Sequence, residues 1–105
     1  LDRCLFMFTQ TTWQTIESKI EQLPLSNAKA RNFQRLFFST IQNIPECDLQ
    51  GRILISQLLK DYAKIKKNVV IVGVSNRIEI WDEKSWKDFN IEHGKAFEEI
   101  AEGLF

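Results

Sequence analysis

The chain has 105 residues, of which 44% are hydrophobic and 27% charged, with equal numbers of basic and acidic side chains. These values exclude a wholly disordered chain and leave room for one buried core. No apolar run approaches the roughly 20 residues of a membrane helix, and we expect no secretory signal. Two cysteines without metal-ligand spacing exclude a disulfide scaffold and indicate a reduced, cytoplasmic protein.

The charge is balanced overall but unevenly distributed. Residues 1–78 carry 11 basic and 6 acidic side chains, whereas residues 79–105 carry 3 basic and 8 acidic. DNA affinity depends largely on displacing counterions from phosphates, so a neutral chain is a poor DNA binder as a single copy. A local basic surface repeated by oligomer symmetry can still supply the field. Candidates for phosphate contact, for which solubility is an equally good explanation, are Lys60, Lys64, Lys66 and Lys67.

A short strand and two helices are predicted in the first 40 residues. Cys4–Phe8 is rich in strand-forming residues, and Thr9 can cap a helix that Pro24 ends. A second helix, capped by Asn27 or the serine before it, is predicted as far as Phe38. The residues expected to face the core are Trp13, Ile16, Ile20, Phe33, Leu36 and Phe37.

Two hairpins around a short helix are predicted next. In the first hairpin, Pro45 favours an edge position and Gly51 can take the positive φ of a tight turn. In the second, Val69–Val74 is apolar at both alternating sets of positions, which predicts a strand covered on both faces. The tail, Asn90–Phe105, is predicted as a helix. The second half reads β-β-α-β-β-α: strands Ile41–Cys47 and Arg52–Ile55, helix Gln57–Ala63 after a Ser56 cap, strands Val69–Val74 and Arg77–Trp81 around Ser75 and Asn76, and a helix after an Asp82 cap.

An internal repeat relates the two ends of the chain at an offset of 73 residues. In each copy a short strand is followed by a polar cap and an amphipathic helix with an aromatic residue in its first turn. This pattern indicates a duplicated supersecondary unit. Because the first half retains only the end of such a unit, we expect an upstream part of the protein before Leu1. The superimposed apolar pairs are Leu5 and Ile78, Met7 and Ile80, Phe8 and Trp81, Trp13 and Trp86, and Ile16 and Phe89.

The clearest functional pattern is D-x-x-x-R, formed by Asp48 and Arg52 on either side of the predicted glycine turn. The carboxylate can cap the turn amides or brace the guanidinium, and the turn then presents the arginine. A guanidinium donates two parallel hydrogen bonds to a phosphate or a guanine edge. By itself the pattern is weak, because many hairpins carry a structural salt bridge across a turn.

In its surroundings, however, the motif closely resembles the second half of the MraZ family of bacterial transcriptional regulators. The resemblance implies an α+β fold with an AbrB-like swapped-hairpin β-barrel-like core and flanking helices. It divides the chain into the remainder of a first AbrB-like repeat with linking helices (1–40), a second repeat (41–89) and a C-terminal helix (90–105). The matching segments are Cys47–Ile55, Leu59–Ala63 and Val69–Trp81, and upstream Cys4–Phe6, Trp13, Leu23–Leu25 and Ala30–Ser39.

The resemblance also implies a function. Members bind direct repeats in double-stranded promoter DNA of the cell-division and cell-wall gene cluster as ring-shaped homo-oligomers, which places this chain in the cytoplasm at the nucleoid. Arg52 would contact DNA and Asp48 would order the hairpin, while a first motif would lie about 25 positions before Leu1 by the offset of 73. No enzyme activity, cofactor, metal, small-molecule ligand or membrane partner is expected. The candidate DNA-binding residues are Arg52, Asp48, Gln50, Gly51 and Lys60.

Three other interpretations fit parts of the sequence. An antitoxin-type AbrB-like repressor or a ring-forming protein-interaction module would share the fold. A catalytic pair of His93 with a cysteine is disfavoured, because Cys4 and Cys47 lie in predicted strands where small buried residues are expected. The three tryptophans are expected to fill the core between the repeats rather than to stack on bases.

Overall fold

The computed structural model of the protein describes residues 2–43 and 47–105. Its mixture of helices and short strands gives the α+β class expected from the sequence. The predicted edge position of Pro45 lies outside the described residues. Within the described ranges, no helix combines the length and apolar character that crossing a membrane requires. The elements in chain order are β1 (Leu5–Met7), α1 (Gln10–Glu21), α2 (Ala28–Ser39), α3 (Gln57–Tyr62), β2 (Val69–Val74), β3 (Arg77–Asp82) and α4 (Glu83–Leu104).

Each helix begins where a polar side chain accepts a hydrogen bond from the first turn, which confirms the predicted caps. Thr9 caps α1, Asn27 caps α2, Ser56 caps α3 and Asp82 caps α4. These residues satisfy backbone N–H groups that a helix leaves without an internal partner. The predicted helix after Asp82 and the predicted helical tail form one continuous helix, α4, of 22 residues.

The three strands form one antiparallel sheet in the order β1-β3-β2. The second predicted hairpin is confirmed: β2 and β3 are joined at Ser75, which has a φ of 49°. The prediction that β2 is covered on both faces is wrong, because β2 is an edge strand and its residues alternate between exposed and half-buried. Ile71 is 66% exposed. The segment packed on this face reaches the centre of the sheet but not its β2 edge.

The internal repeat is visible in the pairing of β1 with β3. These strands are the repeat-related ones, and adding the offset of 73 to one paired set produces the other, as a local two-fold axis requires. The axis passes through the pair formed by Phe6 and Glu79, which are themselves related by the offset. The paired residues are Leu5 with Ile80, Phe6 with Glu79 and Met7 with Ile78.

The same symmetry extends into the helices that follow the strands. The caps of α1 and α4, Thr9 and Asp82, are 73 residues apart, and so are the first residues of the two helices. Each strand–helix junction also holds an aromatic pair, which agrees with tryptophans packed beside the sheet. The pairs are Phe8 with Trp13, at 6.3 Å between ring centroids, and Trp81 with Trp86, at 5.4 Å.

The buried core is small and lies against the face of the sheet opposite these aromatic clusters. It consists of Leu5, Ala63 and Ile80, and the partly buried side chains packed around it come from the chain between residues 53 and 65. Two predictions about buried residues are wrong: α2 buries none of its side chains, and Leu36 is 70% exposed. The residues packed around the core are Ile53, Ile55, Leu59, Tyr62 and Ile65.

The chain exposes more surface than a compact monomer of its mass. Its accessible surface is 8722 Å², whereas about 6100 Å² is typical of a 12.3 kDa monomer. Its radius of gyration is 16.4 Å, against about 13 Å for a compact domain of this length. The surplus of about 2600 Å² is surface that a partner could bury.

Candidate nucleic-acid interface

The D-x-x-x-R residues form one hydrogen-bonded turn. The Asp48 backbone N–H donates to the Arg52 carbonyl at 2.9 Å, and the Gly51 N–H donates to the Asp48 carbonyl at 3.0 Å. Gly51 has a φ of 76°, which confirms the predicted left-handed conformation and favours glycine at this position. The turn is therefore closed by its own backbone as well as by side chains.

The Asp48 carboxylate holds the turn from inside. Its Oδ1 accepts from the backbone N–H groups of Gln50 at 2.9 Å and Arg52 at 2.8 Å, and its Oδ2 accepts from Arg52 Nε at 3.0 Å. The Arg52 and Gln50 amides and the guanidinium hold the pKa of this carboxyl below its ordinary value, with the Arg52 amide making the largest contribution. Asp48 is therefore ionised at neutral pH and braces Arg52.

Arg52 is presented outward from this turn. Its side chain is 71% exposed although Nε is bonded to Asp48. That contact uses one of the five N–H donors of a guanidinium, and the other four belong to the terminal nitrogens. An exposed guanidinium that is held at one edge can accept a bidentate partner with less loss of side-chain entropy than a free arginine.

The segment that follows the turn is extended but is not a sheet strand. Residues 52–56 alternate between exposed and half-buried, with Ile53 and Ile55 packed on the core, as the predicted strand Arg52–Ile55 requires. The strand assignments are nevertheless wrong in their described parts, because residues 41–43, 47 and 52–55 form no strand ladder. The two isoleucines anchor the base of the turn in the core.

Gln42 links the two arms on either side of the turn and was missed by the sequence analysis. Its side-chain N–H₂ group donates to the Leu54 carbonyl, and its Oε1 accepts from the Ser56 backbone N–H at 2.7 Å. One amide side chain thus replaces the ladder that was expected between the arms. No local sequence signal distinguishes this glutamine from a surface residue.

The remaining candidate residues contribute differently. Gln50 and Gly51 form the exposed tip of the turn together with Leu49, whose side chain is fully exposed. Lys60 lies on α3, and among the described residues no hydrogen bond or ion pair joins it to the turn. Sequence reasoning expected Cys47 to be buried, but it is exposed, whereas Cys4 is buried as expected. An open groove of about 500 Å³ is lined by Cys47, Asp48, Arg52, Ile53 and Leu54.

A comparison with known families identifies the segment that carries the turn. The family described as "MraZ protein, putative antitoxin-like" matches residues 40–105, which are more than half of the chain and include the whole turn, the α3 helix, both strands of the second hairpin and α4.

Proposed function

The chain belongs to the MraZ family, which is regulatory and non-enzymatic, and from this premise we propose that it is a sequence-specific DNA-binding transcriptional regulator. In this proposal the turn from Asp48 to Arg52 is the DNA-contacting element. Direct repeats in the promoter of the cell-division and cell-wall gene cluster are its targets, and the protein works at the nucleoid. The swapped-hairpin core and the division at residues 1–40, 41–89 and 90–105 belong to the same proposal.

The observation that carries the proposal is the exposed, braced guanidinium of Arg52. The turn is closed by two backbone hydrogen bonds, and Asp48 adds three more, so the arginine is held before any ligand arrives. Its terminal nitrogens suit the O6 and N7 atoms of guanine or two phosphate oxygens. A purely structural arginine would have been expected to be covered by its own chain.

The roles of the neighbouring residues follow from their positions. Gly51 carries no side chain, so the backbone at the tip of the turn can approach the DNA closely. Gln50 can add a side-chain hydrogen bond to a base edge, and Lys60 on α3 can add a phosphate contact. Asp48 orders the turn and does not itself contact DNA, since a carboxylate is repelled by phosphates.

Assembly completes the proposal. With a net charge of zero, one copy gains little from counterion release, so affinity must come from several copies that engage successive repeats. A ring-shaped homo-oligomer provides this arrangement. The surplus accessible surface of about 2600 Å² supports it, because two contacts of about 800 Å² per partner would fit within that area.

The test is a fluorescence anisotropy titration of the chain against a labelled duplex from the promoter of the cell-division gene cluster, with a scrambled duplex beside it. Arg52→Ala removes the proposed contact, Arg52→Lys keeps the charge without the fork, and Lys19→Ala removes one exposed charge from α1. We expect Arg52→Ala to weaken specific binding roughly 5-fold to 150-fold, corresponding to about 1–3 kcal/mol for one base contact. Lys19→Ala should bind like the parent.

The salt dependence separates the possible contacts. A base contact by Arg52 predicts that Arg52→Lys loses the preference over the scrambled duplex, whereas a phosphate contact predicts a salt slope that is smaller by about one per site. If Arg52→Ala binds as tightly as Lys19→Ala, Arg52 is structural and the assignment is wrong. If neither duplex binds at low salt, the interaction-module interpretation replaces the DNA-binding one.

A further inference from the structure

The outer half of α4 carries an apolar stripe that touches nothing in the described chain. Near its start, α4 packs on the sheet through Trp86 and Phe89, whose rings lie 5.4 and 5.1 Å from Trp81. Beyond these contacts, Phe97, Ile100 and Leu104 are 72%, 64% and 74% exposed. Together with His93 they are spaced four, three and four residues apart, so they share one face of the helix. We call these four residues the α4 stripe.

A second unpartnered stripe lies on α2. The inner side of α2 rests on α1, where Phe37 stacks on Trp13 at 5.8 Å. On another side, Lys29, Phe33 and Leu36 are exposed and spaced four and three residues apart. We call these three residues the α2 stripe. It has the same spacing as the α4 stripe, and α2 has the same 12-residue length as the outer part of α4, so each extends over about 18 Å.

The two stripes belong to segments of opposite charge. The α2 helix contains three basic side chains and no acidic one, whereas residues 92–104 contain four acidic side chains and one lysine. The charged residues are Lys29, Arg31 and Arg35 on α2, and Glu92, Glu98, Glu99, Glu102 and Lys95 on α4.

The flanks of the α4 stripe are also suited to helix packing. The positions immediately beside it are glycine or alanine, which lets a second helix approach closely, at the short end of the usual 8–10 Å between axes. The acidic side chains occupy the remaining, outer face of the helix, so none of them has to be desolvated for docking. These flanking positions are Gly94, Ala96, Ala101 and Gly103.

We propose that the α2 stripe of one copy docks on the α4 stripe of the next, forming a head-to-tail contact. This contact covers both exposed stripes of every copy at once and joins segments of opposite charge. Pairing α4 with α4 instead would bring like charges together and leave α2 exposed. A head-to-tail contact closes into a ring when its rotation allows. The inference rests on the proposed oligomeric function for its purpose, but its support is the exposure, spacing and charge of the two helices.

The test uses aspartate substitutions at exposed positions, which cost the fold little. Leu36→Asp disrupts the α2 stripe, and Phe97→Asp disrupts the α4 stripe. Ile91→Asp is the matched control, because Ile91 is an exposed apolar residue of α4 that lies off the stripe. We expect Ile91→Asp to assemble like the parent in sedimentation velocity. Each stripe variant should associate roughly tenfold or more weakly, as for truncation of an interface hot spot.

A mixing experiment distinguishes the head-to-tail contact from self-pairing of α4. Each stripe variant retains one intact surface, so an equimolar mixture of Leu36→Asp and Phe97→Asp should form a 1:1 heterodimer and nothing larger. The inference is overturned if Leu36→Asp alone assembles normally, if the mixture stays monomeric, or if the parent does not assemble.

Second variants and a separate readout keep the result unambiguous. Phe33→Asp and Ile100→Asp repeat the test on the same stripes, with far-UV circular dichroism to verify the fold. A charge exchange, Arg35→Glu with Glu99→Arg, should restore part of the association that either change alone weakens. Failure of the DNA-binding proposal would appear as binding insensitive to Arg52→Ala in an assembled protein, so the two failures are distinguishable.

Discussion

Replacing Glu79 by glutamine tests whether the buried carboxylate at the local two-fold axis stabilises the fold. Glu79 lies in the middle of β3 and is 7% exposed. Its Oε2 accepts from Arg77 Nε at 2.7 Å, and its Oε1 accepts from Trp81 Nε1 at 3.0 Å. Both oxygens face donors, so glutamine must direct its N–H₂ group toward another donor.

The expected cost follows from these contacts. A hydrogen bond to a charged group contributes about 1.5–3 kcal/mol, and breaking a buried ion pair costs about 3–5 kcal/mol. The Arg77 side chain is 31% exposed and can be partly rehydrated, so we expect Glu79→Gln to lower the free energy of unfolding by about 2 kcal/mol. For a chain of this size, such a loss lowers Tm by roughly 8–15 °C.

Urea unfolding followed by tryptophan fluorescence measures this loss, because Trp81 is buried and donates directly to Glu79. Glu17→Gln is the matched control, since Glu17 accepts a single indole hydrogen bond from Trp13, at 2.9 Å, on a less buried helix surface. It should cost under about 1 kcal/mol. If Glu79→Gln costs no more than Glu17→Gln, the Arg77–Glu79–Trp81 network does not stabilise the sheet.

Three further outcomes are expected from local geometry. Lys64 has a φ of 55° at the end of α3, so Lys64→Gly should raise stability by about 0.5–1 kcal/mol in urea unfolding, with Lys67→Gly as the control. Burial raises the pKa of the Cys4 thiol to about 11, helped by the Glu79 charge, so at pH 8 a thiol reagent should modify the exposed Cys47 at least tenfold faster. Hydrogen bonding by the Lys66 amide, and by those of Ser85 and Lys84, lowers the pKa of Asp82 below 3.8, so its stabilisation is complete above that pH and is lost as the pH falls below it.

Each of these outcomes has a result that would contradict it. Equal stability of Lys64→Gly and the parent would mean that the left-handed residue is not strained. Comparable labelling rates of the two cysteines in the folded protein would show that Cys4 is accessible. For Asp82, the measurement is the acid-unfolding midpoint, and Asp82→Asn should make stability less dependent on pH between 3 and 5; an unchanged dependence would contradict the role of its carboxylate.

Local patterns in the sequence predicted the elements and the turn. The caps at Thr9, Asn27 and Ser56 and the strand of β-branched residues at Val69–Val74 depend on neighbours a few positions away, which the sequence displays directly. The same holds for the turn, because a left-handed Gly51 and a carboxylate three residues earlier are compatible with few other structures. The 73-residue repeat also identified the two strands that pair about the local two-fold axis.

The tertiary structure alone decided what each element packs against. The sequence favoured burial of Leu36 on α2 and coverage of both faces of β2, since apolar periodicity shows which face is apolar but not whether anything covers it. It also predicted a strand ladder across the turn, where Gln42 instead bonds the opposite arm through its side chain. Such pairings join residues 12 and 14 positions apart and depend on where separate segments meet in space, which local pattern cannot specify. The sequence therefore determined the braced arginine turn, whereas the fold determined that Arg52 is exposed and that two helix faces are left for a partner.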